Sequence, residues 1–518
     1  MKKYLLPGLY GHLFKPIRQK GRLRPGLFLP PLLLLGFLLA FSIHGFGQNN
    51  DKNTPLGQRS VADEKWQKGG IFEGYTPGQE ILEKRTRNTK HFNNPDGSIT
   101  VQIGGLAHYK DENGAWQDVD YSIKINNSDQ TSAHKYANKT SEIKSFFPES
   151  PGSTGVMMRT NGLEYKLWAN PEMEIVDDAN NVVYSEKISS SHPQIDGNKI
   201  IYPSYDGISE NMSIFESGIQ NDIVISYLNS NINDYSSTYN ITFSQFIPLP
   251  DDFKVYADSI EMNHDFTSES FNIRKVRSEE NLYFLPLVTY DAKLTKEEAQ
   301  ILQIPEQGKI PQEIVAKRNS CIKGYYSIHF VEGGIIVKAL LPLSWIKDPE
   351  RVFPITIDPT WLIGADPPGY NYGNGAIDHW YGYQRYASLY PYSEIGGYGT
   401  ITAIEYYTAT STARTKPTKV YIKSTTATTC TSAAWNSSTY TSGATTCFDG
   451  NTTQDATTGW KMISLTSSFN YTANNLLIMV YAAYAGSGSN QNCGFNTNSS
   501  SCQAYYRVDG TDGGDGSI

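Results

Sequence analysis

The chain has 518 residues, a formal net charge of −8 and five cysteines. The charge is spread out with no basic stripe, which argues against a nucleic-acid partner, and no Cys-x-x-Cys pair is present, which argues against a zinc ribbon. Aromatic residues make up 12% of the chain, with 35 tyrosines, and charged residues only 19%, a composition that favours strands with aromatic cross-strand pairs.

Lys2, Lys3, Lys15, Arg18, Lys20, Arg22 and Arg24 precede the apolar run within Leu27–Gln48, which ends in Gly45-Phe46-Gly47. A basic leader, an apolar run and a small-residue exit form an export pattern. It predicts a signal peptide over 1–47, cleavage before Gln48, and a secreted or cell-surface location. The alternative is an uncleaved signal anchor with its basic end inside. The run is about 17 residues, near the lower limit for a span, and Pro30-Pro31 disfavours one regular helix. Membrane contact is thus expected only through an uncleaved leader. No cysteine precedes Cys321, so a lipid anchor at the leader's end is excluded. Residues 48–75 are polar and aperiodic and read as a linker.

From about Ile81 the pattern becomes short strands and tight turns. Val119, Tyr121, Ile123 and Ile125 alternate as the buried face of a strand would. Asn113-Gly114 and Asn161-Gly162 are hairpin signals, the second followed by alternating Leu163, Tyr165 and Leu167. Further strands are expected at Ile223–Leu228, Tyr239–Phe243, Leu282–Tyr290 and Gly334–Leu341. One segment reads as helix: Thr295-Lys296-Glu297-Glu298 is a capping box followed by Ala299, Ile301 and Leu302, ended by Pro305. A single short helix near 295–303 implies an all-β fold, with several antiparallel sheets N-terminally.

At Trp361 charge thins and Ser, Thr, Tyr and Gly rise. Pro367–Gly375 is rich in turn formers and marks a boundary. Strands recur at Thr400–Thr408, Lys419–Lys423, Trp460–Leu465, Leu476–Tyr484 and Ala504–Val508, which suits one C-terminal β-sandwich. The expected organisation is therefore 1–47, 48–75, a β-rich region over 76–360, a sandwich over 361–510 and a flexible tail over 511–518. Cys430, Cys447, Cys493 and Cys502 cluster at the end; in an exported chain they suggest two disulfides, with the sequence-local pairing Cys430–Cys447 and Cys493–Cys502 chosen among three connectivities.

Three stretches resemble a known context: Lys90–Asp120 (KHFNNPDGSITVQIGGLAHYKDENGAWQDVD), Lys199–Ile225 (KIIYPSYDGISENMSIFESGIQNDIVI) and Leu341–Thr360 (LPLSWIKDPERVFPITIDPT). In this order they resemble the β-rich N-terminal region of large bacterial surface proteins, including RHS/YD-repeat and wall-associated proteins. There an "HYKD-NG-WQ-ID" hairpin opens the region and a "YPVTIDPT" strand closes it. The resemblance covers roughly residues 80–360. It implies an exported scaffold ahead of binding, repeat or toxin modules, and assigns no catalytic residue. After Thr360 the chain departs from it, since no tyrosine-aspartate repeats follow. Gly399–Tyr407, Thr418–Ile422, Trp435 and Gly459–Tyr481 are instead similar to adhesin-like secreted β-sandwich modules.

No catalytic motif is present. The nine histidines form no HExxH and there is no GxSxG elbow. Cys321 and His329 could pair if they lie on neighbouring strands; the simpler reading is a lone buried cysteine. A glycosidase carboxylate pair has no local motif. Asp509, Asp512 and Asp515 read as a solvated tail rather than a calcium loop. No cofactor or metal is expected. The densest aromatic run spans Tyr370–Tyr392, and in it Trp380, Tyr381, Tyr383 and Tyr386 could form a platform for a glycan or protein ligand. The competing reading is sandwich core. The leading expectation is a secreted or cell-surface, non-catalytic, adhesin-like binding protein. The alternatives are the N-terminal scaffold of a longer RHS-type delivery or toxin protein, and a secreted hydrolase.

Overall fold

A computed structural model describes residues 12–15 and 79–508, apart from 96, 104–105, 128–132, 189–191, 279, 304–311, 365–382, 409–413, 432, 455–458 and 484–501. The protein is all-β, with antiparallel sheets throughout. Two compact units emerge. A central unit comprises Met1–Pro7 and Tyr109–Tyr372, and a split unit comprises Gly8–His108 and Gly373–Ile518. No helix among the described residues is long and apolar enough to cross a membrane. The segments expected to be an apolar leader run, a linker and a tail all lie outside the described residues.

The central unit is built from hairpins whose turns are written locally. Asp111 accepts from the backbone N–H groups of Asn113 and Ala115, and Gly114 takes φ +79°, a value that favours glycine. Asn161 and Gly162, at φ 43° and 77°, join Val156–Thr160 to Leu163–Leu167 in a two-residue turn, with Thr160 facing Leu163. Alternation buries Val119, Tyr121 and Ile123 as expected, but Ile125 is 60% exposed, because only Lys124–Ile125 pairs and it forms the edge of a five-stranded sheet. The strand expected at Leu282–Tyr290 is two strands, Asn281–Phe284 and Val288–Asp291, separated around Pro286, which has no N–H to give a ladder.

A six-stranded sheet runs Val182–Lys187, Ala169–Val176, Asn240–Pro248, Gly334–Pro342, Tyr325–Val331, Phe266–Ser268. The largest sheet has twelve strands, among them Lys199–Tyr205, Ile208–Phe215, Gly218–Ile225, Ile355–Asp358 and Thr360–Gly364. One of its faces is apolar: Ile200, Tyr202, Ile208, Met212, Ile214, Ile219, Ile223 and Ile357 are all buried. The expected helix forms over Lys296–Gln303 with its capping box in place: Glu298 N–H donates to Thr295 Oγ1 at 3.2 Å, and Thr295 N–H donates to Glu298 Oε2 at 2.9 Å. Single-turn helices also occur at Ser230–Asn233, Gln312–Val315, Leu343–Ile346 and Tyr392–Ile395.

The split unit is a two-sheet sandwich. One sheet runs Thr445–Gln454, Arg414–Thr425, Asn475–Ala483, Tyr383–Tyr390, Cys502–Val508. The other runs Gln79–Glu80, Thr89–Asn93, Ile99–Ile103, His12–Lys15, Gly399–Thr408, Gly459–Tyr471. Their facing sides share a core of Val101, Tyr386, Ile404, Tyr406, Val420, Ile422, Ile463, Ile478 and Val480. The sequence division kept 76–360 together. In the structure strands over 79–103 belong to the sheet that carries Gly399–Thr408, with His12–Lys15, inside the segment expected to be a signal peptide, paired between Ile99–Ile103 and Gly399–Thr408. Strand partners so far apart leave no local trace in sequence.

Candidate functional site

Strand Tyr383–Tyr390 is paired on both sides, by Asn475–Ala483 and by Cys502–Val508. Its side chains alternate between two faces. Tyr386 and Tyr390 enter the sandwich core, whereas Ala387 and Leu389 join a second cluster on the outer face. Tyr386 is 1% exposed, so it packs as a core residue and does not belong to a surface platform. Tyr383 is half-buried and lies on the outer side by alternation. Trp380 and Tyr381 lie outside the described residues.

The outer face carries a row that crosses the sheet. Asp449 faces Lys419, Lys419 faces Tyr481, and Tyr481 faces Arg385. Lys419 Nζ meets Asp449 Oδ2 at 2.9 Å, and this bond holds the ammonium above its usual range. The Arg385 guanidinium lies 5.9 Å from the Tyr481 ring centroid. Beside this row Tyr421 meets Trp435 edge-on at 6.2 Å, and Trp435 stacks with Tyr440 at 6.2 Å. Tyr440 donates to the Thr431 carbonyl at 2.6 Å, which ties the covering loop down. Partial burial pushes the Tyr421 phenol up, so it stays a neutral donor at physiological pH. Tyr383, Tyr421 and Tyr481 remain half-exposed, with Lys419 among them. Rings with polar tips next to a fixed cation can stack on an apolar ring face and hydrogen-bond its hydroxyl or amide edge.

Cys430 and Cys447 are not bridged. Cys447 is buried in the inner core and its Sγ lies 3.5 Å from the Thr445 carbonyl, while Cys430 packs with Trp435 on the outer face. The sheet itself separates them, and the described residues contain no disulfide. Burial raises the Cys447 thiol to about 11. Cys493 and the side chain of Cys502 lie outside the described residues, as do Asp509, Asp512 and Asp515.

The central unit holds two carboxyls with raised values. Glu210 shares the apolar face of the largest sheet with Ile208 and Met212, and burial pushes it up to about 7 although Asn221 Nδ2 donates to it at 3.1 Å. On the opposite face the register of Gly218–Ile225 against 355–360 sets Asp222 opposite Asp358. Burial and then the Asp358 charge raise Asp222. Lys296, from the helix, meets Asp358 at 2.7 Å; Thr360 Oγ1 donates to Asp358 at 2.5 Å and Gln220 Nε2 to Asp222 at 2.7 Å. Cross-strand like charges repel, and Lys296 offsets that repulsion. Both carboxyls are knitted into sheet packing, so each has a structural explanation.

Cys321 and His329 do not pair. Cys321 lies on Cys321–Lys323 in the largest sheet, against Tyr290, whereas His329 lies on Tyr325–Val331 in the six-stranded sheet. Burial raises the Cys321 thiol, the opposite of an activated nucleophile.

No family model matches the chain. A relative, the tRNA3(Ser)-specific nuclease WapA of Bacillus spizizenii, is 22% identical over 296 residues, which is 55% of this chain and 10% of the relative. The chain thus spans about a tenth of the length of that protein. Among solved structures, a GH31 alpha-xylosidase from Xanthomonas citri aligns over 75% of this chain and 37% of its own, at 8% identity and a TM-score of 0.10, a superposition too loose to carry an argument.

Proposed function

We propose that this chain is an exported binding protein of a bacterial surface, and that the outer face of the 383–390 sheet meets its glycan or protein ligand. The observation that supports this reading is the cross-sheet row Asp449–Lys419–Tyr481, which ends on the buried Arg385, with Tyr383 and Tyr421 half-exposed beside it. A paired sheet is a rigid platform, so its rings are ordered before the ligand arrives and little entropy is lost on binding. The test is a glycan array probed with the full chain, followed by titration of the best glycan against Tyr421→Ala and Tyr383→Ala. Each change should weaken binding by about 1–3 kcal/mol, as a central aromatic anchor does, and Tyr383→Ala should do so with melting little altered. Unchanged affinity in both variants would reject the surface.

A second reading is favoured by the relative. The matched 296 residues form only a tenth of a protein whose name denotes a tRNA nuclease. In this reading the chain is a scaffold portion of a longer RHS-type delivery protein. The nuclease activity named there belongs to that whole protein. The size of the native product in culture supernatant decides between the two: a species far larger than 57.7 kDa supports the scaffold.

A further inference from the structure

We propose that Ser327, His329 and Asp265 form a hydrolytic triad on the six-stranded sheet of the central unit, able to cleave short carboxylic esters. Ser327 and His329 stand two residues apart on Tyr325–Val331 and so share a face. Phe266 faces Ile328 across the ladder, which brings Asp265 beside His329. Ser327 Oγ lies 3.0 Å from His329 Nε2, and His329 Nδ1 lies 2.9 Å from Asp265 Oδ2. The second oxygen of Asp265 accepts the Phe330 backbone N–H at 2.9 Å. Asp265 is therefore held at both oxygens. It accepts from Nδ1–H, which leaves Nε2 to accept the serine hydroxyl proton. This is the order of contacts that nucleophilic serine catalysis requires.

The surroundings fit the chemistry. The bonds from His329 and from Phe330 N–H hold the Asp265 carboxyl below its usual range, so it is charged when His329 takes a proton. Lys338 faces Ser327 across the ladder from one side and Thr267 from the other. Lys338 Nζ is paired with Glu174 Oε2 at 2.5 Å on the side of its strand away from Ser327, so this neighbour brings no net charge to the nucleophile. His264, next in sequence to Asp265, is the other titratable group acting on it. Ser327 and His329 are half-buried and Asp265 is exposed, so the hydroxyl is offered on an open sheet face. That favours a short acyl group carried on a larger, soluble or polymeric alcohol.

The reaction balances without a co-reactant other than water. Ser327 Oγ attacks the ester carbonyl carbon as its proton passes to His329 Nε2. The C–O bond to the alcohol breaks, and the alcohol leaves with that proton. Water then attacks the acyl-serine, giving a proton to His329, and the carboxylic acid departs as Ser327 recovers its proton.

The test uses the full chain with p-nitrophenyl acetate and an alkyl fluorophosphonate. The native protein should become phosphonylated on Ser327, read by peptide mass mapping, and should release p-nitrophenol faster than the urea-unfolded chain. Ser327→Ala should abolish the label. His329→Ala should lower the rate by about 100-fold or more, and added imidazole should restore labelling. Asp265→Asn positions the ring differently and should move the pH profile as well as the rate. Absence of label on native Ser327 overturns the proposal, as does equal labelling of native and His329→Ala protein. If His329→Ala does not fold, Ser327→Ala, a change of one half-buried hydroxyl, still decides.

Discussion

One carboxyl in each unit, Glu210 and the half-buried Glu80, responds to burial in the opposite way. In the central unit Glu210 is 3% exposed in an apolar layer, and its acid form is favoured. In the split unit burial alone would raise Glu80, but hydrogen bonds from His108 and Arg85, with the nearby Lys90 charge, outweigh it and bring Glu80 down to about 2. Arg85 is bidentate, at 2.9 and 2.7 Å, and His108 Nε2 lies 3.2 Å away. The lesson is that burial sets the sign only when partners are few; charged donors reverse it.

Stability follows from these signs. Glu210 binds its proton more tightly folded than unfolded, so its penalty appears as pH rises from about 4.5 through about 7. Glu80 is the reverse: its contribution is present above about 4.5 and is lost as pH falls toward 2. Hydrogen exchange followed by unit should find the central unit firmer at pH 5 than at pH 8, and the split unit weaker below pH 4.

The largest expected effect comes from cutting the split unit. Residues 361–518 alone lack the strands over 79–103 and the core residue Val101, so they should show no cooperative thermal transition. A fragment that melts as sharply as the full chain would remove the distinction between a split and a continuous C-terminal domain. Next, Lys296→Met leaves Asp358, 2% exposed, without its cation and facing Asp222. It should cost about 3–5 kcal/mol at pH 7 by urea unfolding, and less at pH 4. Glu210→Gln keeps the shape and removes the charge. It should stabilise the central unit by up to about 3 kcal/mol at pH 8 and flatten its dependence between pH 4.5 and 7; a variant with the parental slope would show that Glu210 is not the titrating group. Smallest of all, a reductant should leave the melting of the split unit unchanged, and non-reducing peptide maps should contain no Cys430–Cys447 bridge.

What was legible in sequence was local. The Asn161-Gly162 turn and the Thr295–Glu298 capping box each lie within four residues, and both are found where the sequence put them. The all-β class followed from aromatic and turn content. Long-range pairing was not legible. The strand Ile99–Ile103 shares a sheet with Gly399–Thr408, some three hundred residues on. At the candidate surface the sequence singled out the aromatic run holding Tyr383 and Tyr386, but strand alternation sends these two to opposite faces, and only the partner sheet reveals which face is core. Tyr421 and Tyr481, the neighbours of Arg385 and Lys419, carried no motif beyond belonging to strands. Likewise His329 invited comparison with Cys321, while its actual partners were Ser327, two residues away, and Asp265 on another strand.

Because the split unit is assembled from both ends of the chain, its completion must wait on synthesis. Strands Thr89–Asn93 and Ile99–Ile103 emerge early, but Gly399–Thr408 and Gly459–Tyr471 emerge only after the whole of Tyr109–Tyr372 has passed. Closing a stretch of that length as loose chain would cost roughly 5 kcal/mol in entropy, so a central unit that folds first ought to ease the later closure. Until then the early strands carry unpaired edges, open to misassociation before the last sheet arrives. Folding yield should therefore be limited by a waiting time, and a holding chaperone should raise it more than any stabilising substitution in the central unit.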